Sequence, residues 1–171
     1  TLTVDQNVNL NDSTDAYNTI EKSLIGITNN AVISGSLANQ VAIADNFSSV
    51  NSVTYNNMIN NGTVSLTGDG SVAIYANNGN ITNSSAVSAT GKESFGIYGE
   101  NGTVSTNTGT ITIGDQGVGI YGVSYQDPSN PGANGGGLIN ITNSGSITGT
   151  GGSGTIGIYS NTNRTGGTKG D

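Results

Sequence analysis

Along most of this chain apolar residues alternate with small or polar ones, as in Val72-Ala73-Ile74, Ile111-Thr112-Ile113 and Val118-Gly119-Ile120. That two-residue period belongs to a strand with one face buried and not to a helix. The runs are short and end at Asn-Gly, Gly-Asp or Thr-Gly, dipeptides that favour turns. Strands this brief do not make antiparallel hairpins that fold alone, so each needs a partner further along the chain.

An internal repeat supplies the partners. Val72-Ala73-Ile74-Tyr75, Phe95-Gly96-Ile97-Tyr98, Val118-Gly119-Ile120-Tyr121 and Ile156-Gly157-Ile158-Tyr159 share one pattern. The first three tyrosines are 23 residues apart, and the fourth is displaced by an insertion of 15 more. Between the tetrads, an Asn precedes a β-branched apolar residue by four positions: Asn29 with Ile33, Asn60 with Val64, Asn83 with Val87, Asn107 with Ile111, and Asn143 with Ile147. The same spacing puts a first tetrad at Val41-Ala42-Ile43-Ala44, where Ala44 stands in the tyrosine column.

Short strands on a 23-residue period predict an all-β parallel β-helix, a solenoid of about five to six rungs. Each strand pairs with its equivalent one rung away, at about 4.8 Å. Ile43, Ile74, Ile97, Ile120 and Ile158 are expected to form an inner ladder, beside a second inner ladder of Val41, Val72, Phe95, Val118 and Ile156. Asn29, Asn60, Asn83, Asn107 and Asn143 are expected as turn formers stacked at a corner, because Asn tolerates left-handed backbone and bonds nearby backbone or the amide above. Residues 27–160 carry the rungs, with insertions at 45–57 and 122–137. Leu2, Val4, Val8 and Leu10 alternate more weakly and assign 1–26 to an N-terminal rung or cap, while 161–171 reads as the tail of a fragment.

Composition removes several classes of function. Gly, Asn, Ser and Thr exceed half of the 171 residues, yet regularly spaced Val and Ile separate the chain from a disordered one and provide a thin core. Formal charge is −7 and the cations are Lys22, Lys92, Arg164 and Lys169, too few to neutralise a phosphate backbone, so nucleic acid is not an expected partner. The absence of Cys removes disulfides, thiolate chemistry and most zinc sites. No run of 18 apolar residues predicts a membrane span, and no charged-then-apolar amino terminus marks a signal peptide. No cofactor or metal is expected, and the Gly-Gly-X-Gly-X-Asp repeat of calcium-stacked rolls is absent.

Without His or Cys there is no Ser-His or Cys-His nucleophile. Asp69, Glu93 and Asp115 each fall five or six residues before a tyrosine, and a stack of them would be the one hint of a polysaccharide-acting β-helix enzyme. The plainer reading is acidic residues in Gly-flanked turns, and the chain is read as non-enzymatic.

Two features are candidates for binding. If Val72 and Ile74 face inward, alternation turns Tyr75 outward, and likewise Tyr98, Tyr121 and Tyr159 in one column. Such a column suits sugar rings or partner proteins, or serves to shield the small residues beside it. The second feature is the pair of insertions, which leave the rung at the same corner and so project from one edge, where solenoids often bind. The longer holds Pro128 and Pro131 among Tyr125, Gln126, Asp127 and Asn130, and these four are its candidate contacts.

The combination of Ile141-Thr142-Asn143-Ser144-Gly145-Ser146-Ile147-Thr148-Gly149 with Val118-Gly119-Ile120-Tyr121-Gly122 resembles the repeats of large fusobacterial type V autotransporter adhesins, over residues 27–160. The resemblance implies a right-handed coil, exported as a passenger through an outer-membrane barrel and displayed on the extracellular side of the cell surface as a virulence factor. It implies binding to a host-cell surface receptor or glycan, or to a partner bacterium, with the fragment itself monomeric and not membrane-spanning. A non-binding stalk of the same kind of protein is the alternative. Ala44 departs from the tyrosine pattern, and no catalytic motif is carried over.

Overall fold

The computed structural model describes residues 2–12, 20–21, 26–45, 57–125 and 139–163. Among these, three parallel sheets of six strands wind as a β-helix, each rung giving one strand to each sheet. The first sheet holds β1 (Leu2–Val4), β4 (Ile27–Asn29), β7 (Asn57–Asn60), β10 (Asn80–Asn83), β13 (Val104–Asn107) and β16 (Asn140–Asn143). The second holds β2 (Val8–Asn9), β5 (Val32–Gly35), β8 (Thr63–Leu66), β11 (Ala86–Ala89), β14 (Thr110–Ile113) and β17 (Ser146–Gly149). The third holds β3 (Ile20–Glu21), β6 (Val41–Asp45), β9 (Val72–Asn77), β12 (Phe95–Glu100), β15 (Val118–Tyr125) and β18 (Ile156–Asn163). A single 3-10 turn, Leu10–Asp12, follows β2 and buries Leu10.

Register follows the repeat. Ile43, Ile74, Ile97, Ile120 and Ile158 pair in succession, and Ile20 precedes them as the first-rung member. Within residues 1–26, β1, β2 and β3 pair with β4, β5 and β6, and at the other end β18 runs on to Asn163. The core is a thin column of isoleucines and valines from all three sheets, closed in the first sheet by Ile27, Met58 and Ile81.

One expected ladder is only partly inside. Val41, Val72 and Phe95 are half-buried, on the outer face with the tyrosines, whereas Val118 in the same column is buried; in the last strand Ile156 and the inner-ladder Ile158 are both exposed, 41% and 46%. Simple alternation fails because two successive residues point inward: in β9 both Ala73 and Ile74 are fully buried, while Val72 and Tyr75 are only partly so. The ladder between β9 and β12 accordingly pairs Val72 with Phe95 and Ile74 with Ile97 but skips the position between.

From β6 to β18 that skipped position is always Ala or Gly, and in β12 and β15 it meets the opposite wall at close range. A Cβ at Gly96 would lie 2.6 Å from Ile111 Cγ2, and one at Gly119 would lie 2.6 Å from Ile147 Cγ2. Both isoleucines sit one rung on, in the second sheet. The residues in the corresponding place for Ala42 and Ala73 are Val64 and Val87. By register, alanine is matched with valine and glycine with isoleucine, a trade of one methylene for another.

The asparagine column is interior. Asn29, Asn60, Asn83 and Asn107 are fully buried at strand ends, and none of them has a positive φ. Each donates through Nδ2 to the Oδ1 of the next, at 2.8 Å for the first three steps and 2.7 Å to Asn143. The left-handed backbone expected of them is absent, but the expected ladder is present: each side chain bonds the amide of the next rung and local backbone carbonyls, such as those of Ala31 and Gly62. Burial drives this, since an unpaired amide away from water costs about 1–3 kcal/mol. Left-handed backbone occurs instead in a column just before the third sheet, at Asn39, Gly70, Glu93, Gln116 and Gly154, with φ of 59°, 65°, 56°, 53° and 73°.

Candidate binding face at one corner of the coil

Both insertions break the chain where it passes from the third sheet to the first. One lies between β6 and β7 and the other between β15 and β16. In uninterrupted rungs the same corner is a tight turn through Asn78 or Asn101, with φ of 56° and 58°. The two exits are three rungs apart, about 14 Å at the usual strand spacing. Strand structure extends into both expected intervals: Asp45 ends β6, Asn57 begins β7, and Gly122 to Tyr125 complete β15. Tyr125 pairs in register with Asn163. Gln126, Asp127 and Asn130 lie outside the described residues.

The tyrosine column is outward, as alternation about the isoleucines requires. Tyr75 and Tyr98 have ring centroids 5.6 Å apart, Tyr98 and Tyr121 4.7 Å, and Tyr121 and Tyr159 5.1 Å with planes within 5° of parallel. Phe95 stands edge-on to Tyr98 and Tyr121, at 5.2 and 5.3 Å. Interior rings therefore pack against one another at a tilt, and only Tyr121 and Tyr159 stack face to face. Only Tyr159, 37% exposed, presents a large apolar surface among them. At the other end, Ala44 is buried beside Tyr75 in the same register.

Tyr75 donates its hydroxyl to Glu100 Oε2 at 2.9 Å. Burial first, and then that bond and the carboxylate's charge, push its phenol above the ordinary value. Glu100 went unremarked in the sequence. Its signal was position alone, two residues past Tyr98 and so on the same outward side as the ring of the preceding rung.

The acidic residues do not form one stack. Asp69 and Asp115 share a column, but Lys92 occupies it between them, and Glu93 falls one position later, in the left-handed column. Asp69 Oδ1 accepts from the backbone N–H of Lys92 at 2.8 Å, and Asp115 Oδ1 from that of Ser153 at 2.7 Å. Each aspartate therefore ties its own turn to the next. Among the described residues no group of three or more His, Cys, Asp and Glu is placed to hold a metal ion.

A shallow recess of about 240 Å³ opens on the second sheet near the first rungs, lined by Asn9, Asn11, Ser34, Ser36, Ser65 and Thr67. Asn11 donates to Ser36 Oγ at 2.7 Å and accepts from Gln40 Nε2 at 3.0 Å, so its amide is already engaged. The recess offers neutral hydrogen-bonding groups and no charge.

No helix among the described residues is long and apolar enough to cross a membrane. The chain matches no known protein family, no curated protein and no solved structure.

Proposed function

We propose that this chain is an adhesion module: part of an exported, autotransporter-type passenger, displayed on the extracellular side of an outer membrane, that attaches to host cells or other bacteria by binding protein or glycan. One observation carries this reading. Both insertions fall at the same corner, where the described uninterrupted rungs make tight turns through Asn78 and Asn101. A stack of rungs with two insertions along one edge is how repeat scaffolds commonly present binding loops. The sequence resemblance to adhesin repeats and the lack of any His or Cys nucleophile agree with binding over catalysis.

A stalk is the second reading. It is favoured by the self-contained columns: the Asn ladder and the tyrosine stack consume their own hydrogen bonds and ring faces and leave little for a ligand. Binding of the purified chain to cultured host cells, to a panel of bacteria and to a glycan array separates the two. Adhesion predicts saturable binding to at least one of these, and none at any accessible concentration would make the chain a stalk.

A further inference from the structure

We propose that the tyrosine column is a site of oxidative cross-linking, at which a heme peroxidase and hydrogen peroxide join Tyr121 to Tyr159. Oxidants usually fall first on cysteine and methionine. This chain has no Cys and no Trp, and its one methionine, Met58, is fully buried. Among the described residues, the phenols that reach solvent along the column are therefore the accessible oxidisable groups.

Geometry selects the pair. Successive rings from Tyr75 to Tyr159 lie 4.7–5.6 Å apart, a continuous row over which an oxidised phenol exchanges with its neighbour. Tyr75 is tied to Glu100, and Phe95 stands edge-on to Tyr98 and Tyr121 alike, so the ring planes distinguish the pairs: 46° and 39° apart for Tyr75–Tyr98 and Tyr98–Tyr121, but 5° for Tyr121–Tyr159. Tyr159 lies against Tyr121 in a nearly parallel stack and is the most exposed of the four. Two rings held together in this way react at the high effective concentration of an intramolecular encounter.

The step balances. Each phenol gives up one electron and one proton, forming a phenoxyl radical. The two radicals join through the ring carbons beside the oxygens, and the hydrogens on those carbons then move to oxygen and restore both phenols. One molecule of hydrogen peroxide takes the two electrons and two protons and becomes two waters. The new carbon–carbon bond staples the fifth rung to the sixth.

The chain at high dilution, treated with a heme peroxidase and hydrogen peroxide, should give a product of monomer size, two hydrogens lighter, with dityrosine emission. Peptide mapping should link the segment holding Tyr121 to that holding Tyr159. Tyr121→Phe and Tyr159→Phe keep the stacked rings and should each reduce the emission to background, with circular dichroism unchanged. Tyr75→Phe and Tyr125→Phe should retain it. A link mapped to any other tyrosine, dimers only, emission that survives Tyr159→Phe, or no dityrosine at all would overturn the proposal.

Discussion

Asn60 donates through Nδ2 to Asn83 Oδ1 at 2.8 Å, with both side chains fully buried. The bond joins rungs rather than residues of one turn, and it recurs from Asn29 to Asn143. An amide column inside a thin core fixes register, because a strand slipped by one residue would bury the wrong side chain against two unpaired amides.

Asn83→Ala removes the acceptor for Asn60 and the donor for Asn107, and is expected to destabilise by about 2–5 kcal/mol. Asn143→Ala, at the exposed end of the column, should cost clearly less. Urea unfolding of the two variants side by side checks the ordering, and equal losses would mean that the ladder contributes nothing special where it is buried.

Gly96→Ala drives a methyl into Ile111 Cγ2 and should cost about 1–3 kcal/mol by overpacking. Ile111→Ala, which removes Cγ2, should relieve part of that overpacking, so the double variant should lose less than the sum of the two single losses. A double-mutant cycle reads the coupling. Strict additivity would show that the backbone contact with Gly119 O, and not Ile111, excludes the methyl.

Glu93 holds φ of 56° where the rungs on either side carry Gly70 and Gln116. A non-glycine residue there sacrifices about 1–2 kcal/mol, so Glu93→Gly should be neutral or stabilising and Glu93→Val destabilising. Melting temperatures in that order are expected, and a more stable Val variant would contradict the assignment of strain to this column.

The phenol of Tyr75 keeps its proton above the pH at which the unfolded chain releases it. Its contribution is therefore complete below the unfolded phenol pKa of about 10 and is lost as pH rises beyond it. Tyr75→Phe should flatten the alkaline limb of a stability–pH curve. An unchanged limb would place the alkaline sensitivity elsewhere.

The isoleucine column was legible in the sequence because every member is the same residue at a constant offset from a turn. The outer Val72 and Phe95 were not, because strict alternation assigned them to the side of Ile74 and Ile97. Invariably small residues between them, Ala42, Ala73, Gly96, Gly119 and Gly157, carried the correcting signal: a position that never exceeds a methyl group is one that something already fills. The acidic column failed by one residue. Glu93 looked equivalent to Asp69 and Asp115, but hydrogen-bonded register counts from Tyr98 and puts Lys92 in that place.

The central claim is that the rungs are scaffold and the insertions bind. Replacing residues 126–138 with an Asn-Gly turn like Asn78-Gly79 of the uninterrupted corner tests it most directly, through the affinity for whichever cell or glycan the intact chain binds. Circular dichroism and urea midpoint close to the parent together with loss of binding is the predicted result. Undiminished affinity in a fully folded variant would contradict it.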